Sequence, residues 1–379
     1  MTRRILFYVQ HLLGVGHLAR ASHIARAAQA AGMEVVLVTG GMPVPGFPGE
    51  GIAQVALPPV AVGDGAFAGL VDAAGRPIDD GYRTRRRDLL LATFRDLAPD
   101  VVMTEAFPFG RRQVRFELLP LIEALEAATP RPRLVASVRD ILQARAKPER
   151  DIETVEMVRA HYDRVLVHGD PAFAAFADSF PLADRIADRV VHTGLVTGPA
   201  PEPAPGPAAE AFDVIVSAGG GAVGQGVARA ALGAAALLPG VARWLVITGP
   251  NMAQADADWL AANAPPNVTL ARFRPDFRSL LTGARLSVSQ AGYNTVGDIL
   301  QAGCRSILLP YAAMGETEQT VRATRLAALG RAAVIAEAGL DGATLARAVA
   351  AALAAPAPAS LPRLRTDGAA ETARLLRDL

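Results

Sequence analysis

The chain reads as an α/β protein of two doubly wound, Rossmann-like domains facing across a cleft. Three observations predict this. Prolines alternate at Pro199, Pro201, Pro203, Pro205 and Pro207, near the middle of 379 residues, and proline at that density removes backbone donors and favours an extended linker. The halves on either side open alike, with a short apolar run, a glycine-bearing loop and a helix-length stretch. In both halves such runs then alternate with helical stretches, the pattern of parallel strands buried on both faces and joined by crossovers. At ~150 residues per domain, the length also suits two domains.

In chain order, the first half predicts a strand over 4–9, a helix over 18–31 and a second strand over 34–38. Later strands are expected at 101–103, 134–138, 164–167 and 190–192. Residues 43–82 are rich in Gly, Pro and Asp without clear periodicity and read as a long loop or excursion. The second half predicts a strand over 212–217, a helix over 227–238, and strands at 243–248, 268–271, 286–289, 306–309 and 333–336. A final helix is expected over 368–379. The domains are placed at 1–198 and 211–365, with a linker over 199–210 and a C-terminal segment at 366–379.

Lys+Arg is 38 and Asp+Glu is 37, a net charge of +1. Non-specific nucleic-acid binding rests on excess positive charge and is not expected. Cys304 is the one cysteine, which excludes a disulfide framework and any multi-cysteine metal site. It reads as a small buried apolar residue. The N-terminal apolar run stops at Gln10 and His11, too short for a signal segment or a membrane span, so a cytoplasmic location is expected.

Gly14-Val15-Gly16-His17 lies at the first strand-to-helix turn. An imidazole at a helix N-terminus is held neutral by the helix dipole and can accept a proton, although a capping or packing role fits His17 equally. His11 is nearby, and His23 reads as structural. Gly219-Gly220-Gly221-Ala222-Val223-Gly224 formally fits a dinucleotide fingerprint, but the following strand ends in Ile247-Thr248-Gly249, with no carboxylate for a ribose. A phosphate or acceptor loop and a plain tight turn both remain open there. Ser289-Gln290-Ala291-Gly292-Tyr293-Asn294-Thr295 follows a strand and opens a helix. Gly292 suits a tight turn and Asn294 or Thr295 a cap. Asp298, expected in the first helical turn, is either a favourable dipole charge or a ligand for ribose hydroxyls. Glu316-Thr317-Glu318-Gln319 is a capping sequence or a set of groups for the hydroxyls of a polar ligand.

Asp256-Ala257-Asp258 falls in a helical stretch whose alternate residues face apart, against a metal clamp. Arg83, Arg85, Arg86 and Arg87, with Arg111, Arg112 and Arg115, read as solvated faces, and contact with an anionic acceptor or membrane surface is the alternative.

In order and spacing, these motifs resemble the GT-B glycosyltransferases of family 28, the MurG-like transferases. The carriers are Gly14-x-Gly16-His17, the loop at 217–224, and Ser289-x-Ala291-Gly292-x-x-Thr295 followed by Pro310 and Glu318-Gln319. The similarity is strongest over 286–330 and weakest over 43–200. The segments Ser137-Val138-Arg139-Asp140 and Phe107-Pro108-Phe109-Gly110 are similar to those of an uncharacterised bacterial branch.

The resemblance implies an inverting transfer from a nucleotide diphosphate sugar, a UDP-sugar above all, to a hydroxyl acceptor, with no cofactor and no metal. It makes His17 the general base, with Gly14, Gly16, Glu105 and Arg139 on the acceptor side. Gly219, Gly220, Gly221, Ser289, Gly292, Asn294, Thr295, Asp298, Glu318 and Gln319 would bind the donor. The implied acceptor is a small molecule, a lipid-linked sugar or a saccharide. The final helix would cross back to the first domain. Two glutamates seven residues apart would signal retention; neither Glu316 nor Glu318 has such a partner. A nucleotide-sugar hydrolase and a non-catalytic sugar-nucleotide-binding protein are the alternative readings.

Overall fold

A computed structural model describes residues 2–12, 15–63, 69–143, 147–199, 211–217, 224–249, 252–312, 316–356 and 363–379. The chain divides into two compact units, Met1–Thr197 with Asp367–Leu379, and Gly198–Thr366.

The first unit contains β1 (Arg4–Val9), α1 (Gly16–Ala30), β2 (Glu34–Thr39), β3 (Ala53–Ala56), β4 (Ala61–Val62), β5 (Leu70–Val71) and α2 (Asp80–Leu97). It continues with β6 (Val101–Glu105), α3 (Arg115–Glu126), β7 (Arg133–Arg139), α4 (Glu149–His161), β8 (Arg164–His168) and β9 (Val190–His192). Its parallel sheet runs β3-β2-β1-β6-β7-β8-β9. Alternation along β1 explains its unbroken apolar run. Leu6 and Tyr8 join one core cluster with residues of α2 and α3, while Ile5, Phe7 and Val9 join another with residues of α1. A strand covered on both faces has no side left for water.

The 43–82 region does contribute to the sheet, through β3 on its edge, while β4 and β5 pair as a short antiparallel ribbon. β3 is half-exposed and carries Gln54, so it lacks the apolar signature of its neighbours. Helix α2 begins at Asp79, whose side chain accepts from the Tyr82 N–H.

The second unit contains β10 (Val214–Ser217), α5 (Gln225–Leu237), β11 (Trp244–Ile247), α6 (Gln254–Asn263), β12 (Val268–Ala271), α7 (Phe277–Gly283) and β13 (Leu286–Ser289). It ends with α8 (Tyr293–Ala302), β14 (Ser306–Leu308), α9 (Glu318–Ala328), β15 (Ala332–Val334) and α10 (Gly342–Ala354). Its parallel sheet runs β12-β11-β10-β13-β14-β15. Helices α5 and α10 cross where a Cβ on Gly342 would lie 2.8 Å from the Gly233 backbone, so their close approach needs glycine there.

The last helix, α11 (Gly368–Asp378), belongs to the first unit. It packs on α1, and its Ala373 and Leu376 enter the core cluster of Leu18, Ile24 and Val35. The chain re-enters through a bridge between Val196 and Asp367. A Cβ on Gly368 would collide with the Gly194 carbonyl.

Arg86 departs from the reading of its run as a solvated face or a surface for membrane contact. It is fully buried, and its guanidinium holds Glu117 at 2.8 and 2.6 Å through two nitrogens. It also donates to Gln10 Oε1 at 2.9 Å and the Gly40 carbonyl at 3.0 Å, and Glu117 accepts from the Tyr8 hydroxyl. The neighbouring arginines have local partners: Arg83 pairs with Asp80, Arg87 with Asp88, and Arg85 lies over the Tyr82 ring. Among the described residues no helix is long and apolar enough to cross a membrane.

Because Arg86→Met leaves Glu117 buried without its counter-charge, we expect a loss of about 3–5 kcal/mol in unfolding free energy. Urea denaturation should show it as a lowered midpoint at unchanged slope, with part recovered in the double variant Arg86→Met/Glu117→Leu.

Candidate functional site

In each sheet the strand order reverses once, between β1 and β6 in the first unit and between β10 and β13 in the second. Open α/β sheets bind ligands beyond the strand carboxyl ends at such switch points. Of the described residues predicted from sequence, Gly16, His17 and Glu105 lie at the first of these places and Ser289 and Gly292 at the second.

At the first switch point, α1 starts at Gly16 directly after the turn that leaves β1, so His17 is its second residue. Glu105 ends β6. The His17 Nδ1 lies 2.8 Å from Glu105 Oε1, and Arg20, one turn along α1, donates to the same oxygen. Ser137, level with Glu105 on the neighbouring β7, donates to Glu105 Oε2 at 2.5 Å. Glu105 is fully buried. Burial alone would raise its pKa, but Arg20 and the His17 and Ser137 hydrogen bonds outweigh it and hold the carboxyl well below the usual range.

The proton on His17 follows from these contacts. Arg20 also approaches Nδ1, at 3.2 Å, and can only donate. If Nδ1 were bare, its lone pair would face the carboxylate at 2.8 Å. The shorter contact decides: the proton sits on Nδ1 and is donated to Glu105, the Arg20 amino group donates to the same Oε1 and not to Nδ1, and the Nε2 lone pair is left available. The ring is 16% exposed, and Nε2 has no hydrogen-bond partner among the described residues. Its pKa is pushed down to about 3, first by burial and then by the Arg111 charge, against the opposing pull of Glu105. The cause of the neutral ring is thus burial more than the helix dipole expected from sequence. Arg111 donates through Nε to the Gln10 carbonyl at 2.7 Å, and burial with the neighbouring Arg139 lowers it to about 10. Arg139, half-buried at the end of β7, stands in this edge. Gly16 opens α1, and Gly14 lies outside the described residues.

At the second switch point, β10 and β13 end side by side, with Ser217 opposite Ser289. The glycine loop after β10, including Gly219, Gly220 and Gly221, lies outside the described residues. Ser289 is fully buried, and among the described residues its hydroxyl has no partner and neither has the Nε2 of Gln290. Gly292 is the N-cap of α8 at φ −64°, ψ 147°, with open space where a Cβ would point. Asn294 and Thr295 therefore lie inside the first turn instead of capping it, because the helix starts two residues earlier than their capping would require. The exposed N–H groups of such a start favour an anion.

Asp298 is not in the first turn of α8 but in the second. Its Oδ1 lies 3.0 Å from Arg278 Nε, and that guanidinium also reaches Gln301 and the Gly198 and Pro199 carbonyls. Burial raises the Asp298 carboxyl to about 6 with Arg278 opposing. Glu318 begins α9, buried, with Oε1 2.6 Å from the fully buried Arg322. Arg322 donates in turn to the Ala291 carbonyl at 2.9 Å and so ties α9 to the α8 start. Gln319 Oε1 accepts from the Tyr311 N–H at 3.1 Å.

Asp256 bonds Gln225 and Asp258 bonds Gln254, so the D-x-D pair faces two ways. Cys304 is buried, its thiol pushed up to about 11 by burial.

Sequence reasoning did not single out Arg20, Arg278, Arg322, Ser137 or His168. The available signal was position: Ser137 is a polar residue inside an otherwise apolar run and His168 one at the end of such a run.

Residues 214–370 match the Glycosyltransferase family 28 C-terminal domain. Over whole chains, the fold is similar to that of the glycotransferase of kitacinnamycin, at 16% identity and a TM-score of 0.63, covering 100% of this chain and 95% of that one. Acinetobacter baumannii MurG aligns at 15% identity and 0.59, covering 100% of both chains. The glycosyltransferase VinC, solved in complex with dTDP, aligns at 16% and 0.56, covering 99% and 94%. This is the GT-B fold.

If burial and Arg111 hold His17 neutral, its ring should titrate near pH 3 and not near 6.5. Arg111→Met should move the midpoint toward neutrality, as followed by NMR of the His17 ring. The sign for stability follows. Between pH 6.5 and 3 the unfolded chain takes up this proton and the folded one does not, so His17 weakens the fold as pH falls through that window.

Proposed function

We propose that this chain, whose residues 214–370 match the family 28 C-terminal domain, is an inverting, metal-independent glycosyltransferase. It would move a sugar from a nucleoside diphosphate donor to a hydroxyl acceptor. The observation that carries this reading is the His17–Glu105 pair with an available Nε2. In the proposed step, Nε2 takes the acceptor hydroxyl proton as that oxygen attacks the anomeric carbon and the bond to the diphosphate breaks. Glu105, already ionised, stabilises the imidazolium through Nδ1–H and holds the ring in its productive tautomer. A ring with a low pKa is a weak base. An anionic substrate beside Arg111 would offset that charge and raise the ring's basicity.

On the donor side, the α8 N–H groups at Gly292, Asn294 and Thr295 would stabilise the leaving diphosphate without a metal. The Ser289 hydroxyl and the Gln290 Nε2, without partners among the described residues, support a polar ligand there, and the glycine loop at Gly219, Gly220 and Gly221 is proposed beside it. Asp298 would exchange part of its bond with Arg278 for the ribose hydroxyls. Glu318, its carboxylate oriented by Arg322, and Gln319 would hold the sugar hydroxyls. Gly14, Gly16 and Arg139 are proposed on the acceptor side. UDP is the proposed base, with dTDP as the competitor to test.

The test starts with thermal shift in UDP, dTDP and GDP, with and without chelator. Stabilisation that survives chelation supports the donor site, and loss of it on chelation overturns metal independence. His17→Ala should lower kcat by roughly two to four orders of magnitude at nearly constant donor affinity. Asp298→Ala should instead weaken nucleotide binding. If His17→Ala weakened nucleotide binding and spared kcat, the general-base role would be lost.

A further inference from the structure

The carboxyl edge of the first sheet carries more than the His17–Glu105 pair. Glu105, His168 and Thr193 stand at or just beyond the ends of β6, β8 and β9, and Ser137 lies two residues before the end of β7, in register with Glu105. All four are fully buried. They are linked in series. Ser137 Oγ lies 2.5 Å from Glu105 Oε2 and 2.8 Å from His168 Nε2, and His168 Nδ1 lies 2.9 Å from Thr193 Oγ1.

The direction of each hydrogen bond follows from the one before. Glu105 is ionised and can only accept, so the single Ser137 hydroxyl proton points at it. The Ser137 oxygen then accepts from His168 and requires the proton on Nε2. His168 is neutral, its pKa pushed down to about 3 by burial and then by Arg20. Its Nδ1 is therefore a lone pair facing the Thr193 hydroxyl, whose one proton has two acceptors in reach, Nδ1 at 2.9 Å and the Gly194 carbonyl at 3.1 Å. The Ser137 and His168 protons both point toward Glu105. Buried polar chains are costly unless each member is satisfied, and satisfied ones rigidify their surroundings.

We propose that Ser137, His168 and Thr193 are positioning residues that fix the rotation of the Glu105 carboxylate and thereby lock His17 as the Nδ1–H tautomer. Their importance for turnover rests on the reading of His17 as the base. The tautomer lock does not.

The experiment pairs the two readouts on the full chain. The ¹⁵N resonances of the His17 ring report its tautomer without substrate, and steady-state kinetics report its use. In the wild type we expect Nδ1 protonated and Nε2 bare. Ser137→Ala should give a tautomer mixture and a fall in kcat of roughly tenfold to a hundredfold, the scale of a small misplacement of a reacting group, with KM little changed. Ser137→Thr keeps the hydroxyl and should restore both. His168→Gln keeps an N–H toward Ser137 and should act as the mild variant beside His168→Phe. An unchanged His17 tautomer in folded Ser137→Ala and His168→Phe overturns the proposal. A mixed tautomer at unchanged kcat upholds the lock and overturns His17 as the base instead.

Discussion

A parallel strand packed between two layers of helices has no wet face, and the rest of this molecule is arranged around that constraint. Along β1, β6, β7 and β8 the side chains serve one core or the other, and polarity is admitted mainly where the strands stop. Polar groups therefore crowd one edge of each sheet, and there they are themselves buried. A buried carboxylate such as Glu105 is tolerable only with its oxygens engaged. Arg20, His17 and Ser137 supply those bonds from α1 and β7. One ionised group thus orders the side chains of several elements.

The two switch points solve different problems. The first is a dense, charged lattice in which the His17 ring proton has one place to be. At the second, a glycine starts α8 with room where a side chain would otherwise stand, and a serine hydroxyl and a glutamine amide have no partner among the described residues. On the proposed reading the contrast has a chemical reason. Proton abstraction needs a ring whose tautomer is fixed in advance, whereas a diphosphate needs N–H groups not yet spoken for. Arg278 and Arg322 brace the second site from behind by holding Asp298 and Glu318.

Most of the architecture was legible because apolar runs of strand length leave few alternatives. The strands at 268–271 and 286–289 were expected at the bounds observed. β3 was not, because Ala53–Ala56 sits on an edge, half-exposed, and its composition is that of a loop. Arg86 was misread for the opposite reason. Among Arg83, Arg85 and Arg87 nothing local marks it as the one turned inward, since its partner Glu117 is 31 residues away in the chain. The site was legible where a motif fixes the backbone, at His17 and Gly292. It was not where a side chain's meaning depends on a distant partner. Asp298 could be placed on its helix, but its bond to Arg278 could not be foreseen. Ser137 and His168 are ordinary residues until β7 and β8 lie side by side.

The first unit is discontinuous in sequence, closed by a helix made after the second unit. During synthesis the strands of its sheet emerge first, followed by the whole of Gly198–Thr366, before Ala373 and Leu376 exist to cover α1. Until then one apolar face of α1 is bare while the second unit can already fold. The order of completion on the ribosome is thus the reverse of the order of the domains. A chain that stops a dozen residues early would carry its damage near the beginning, beside the helix that holds His17.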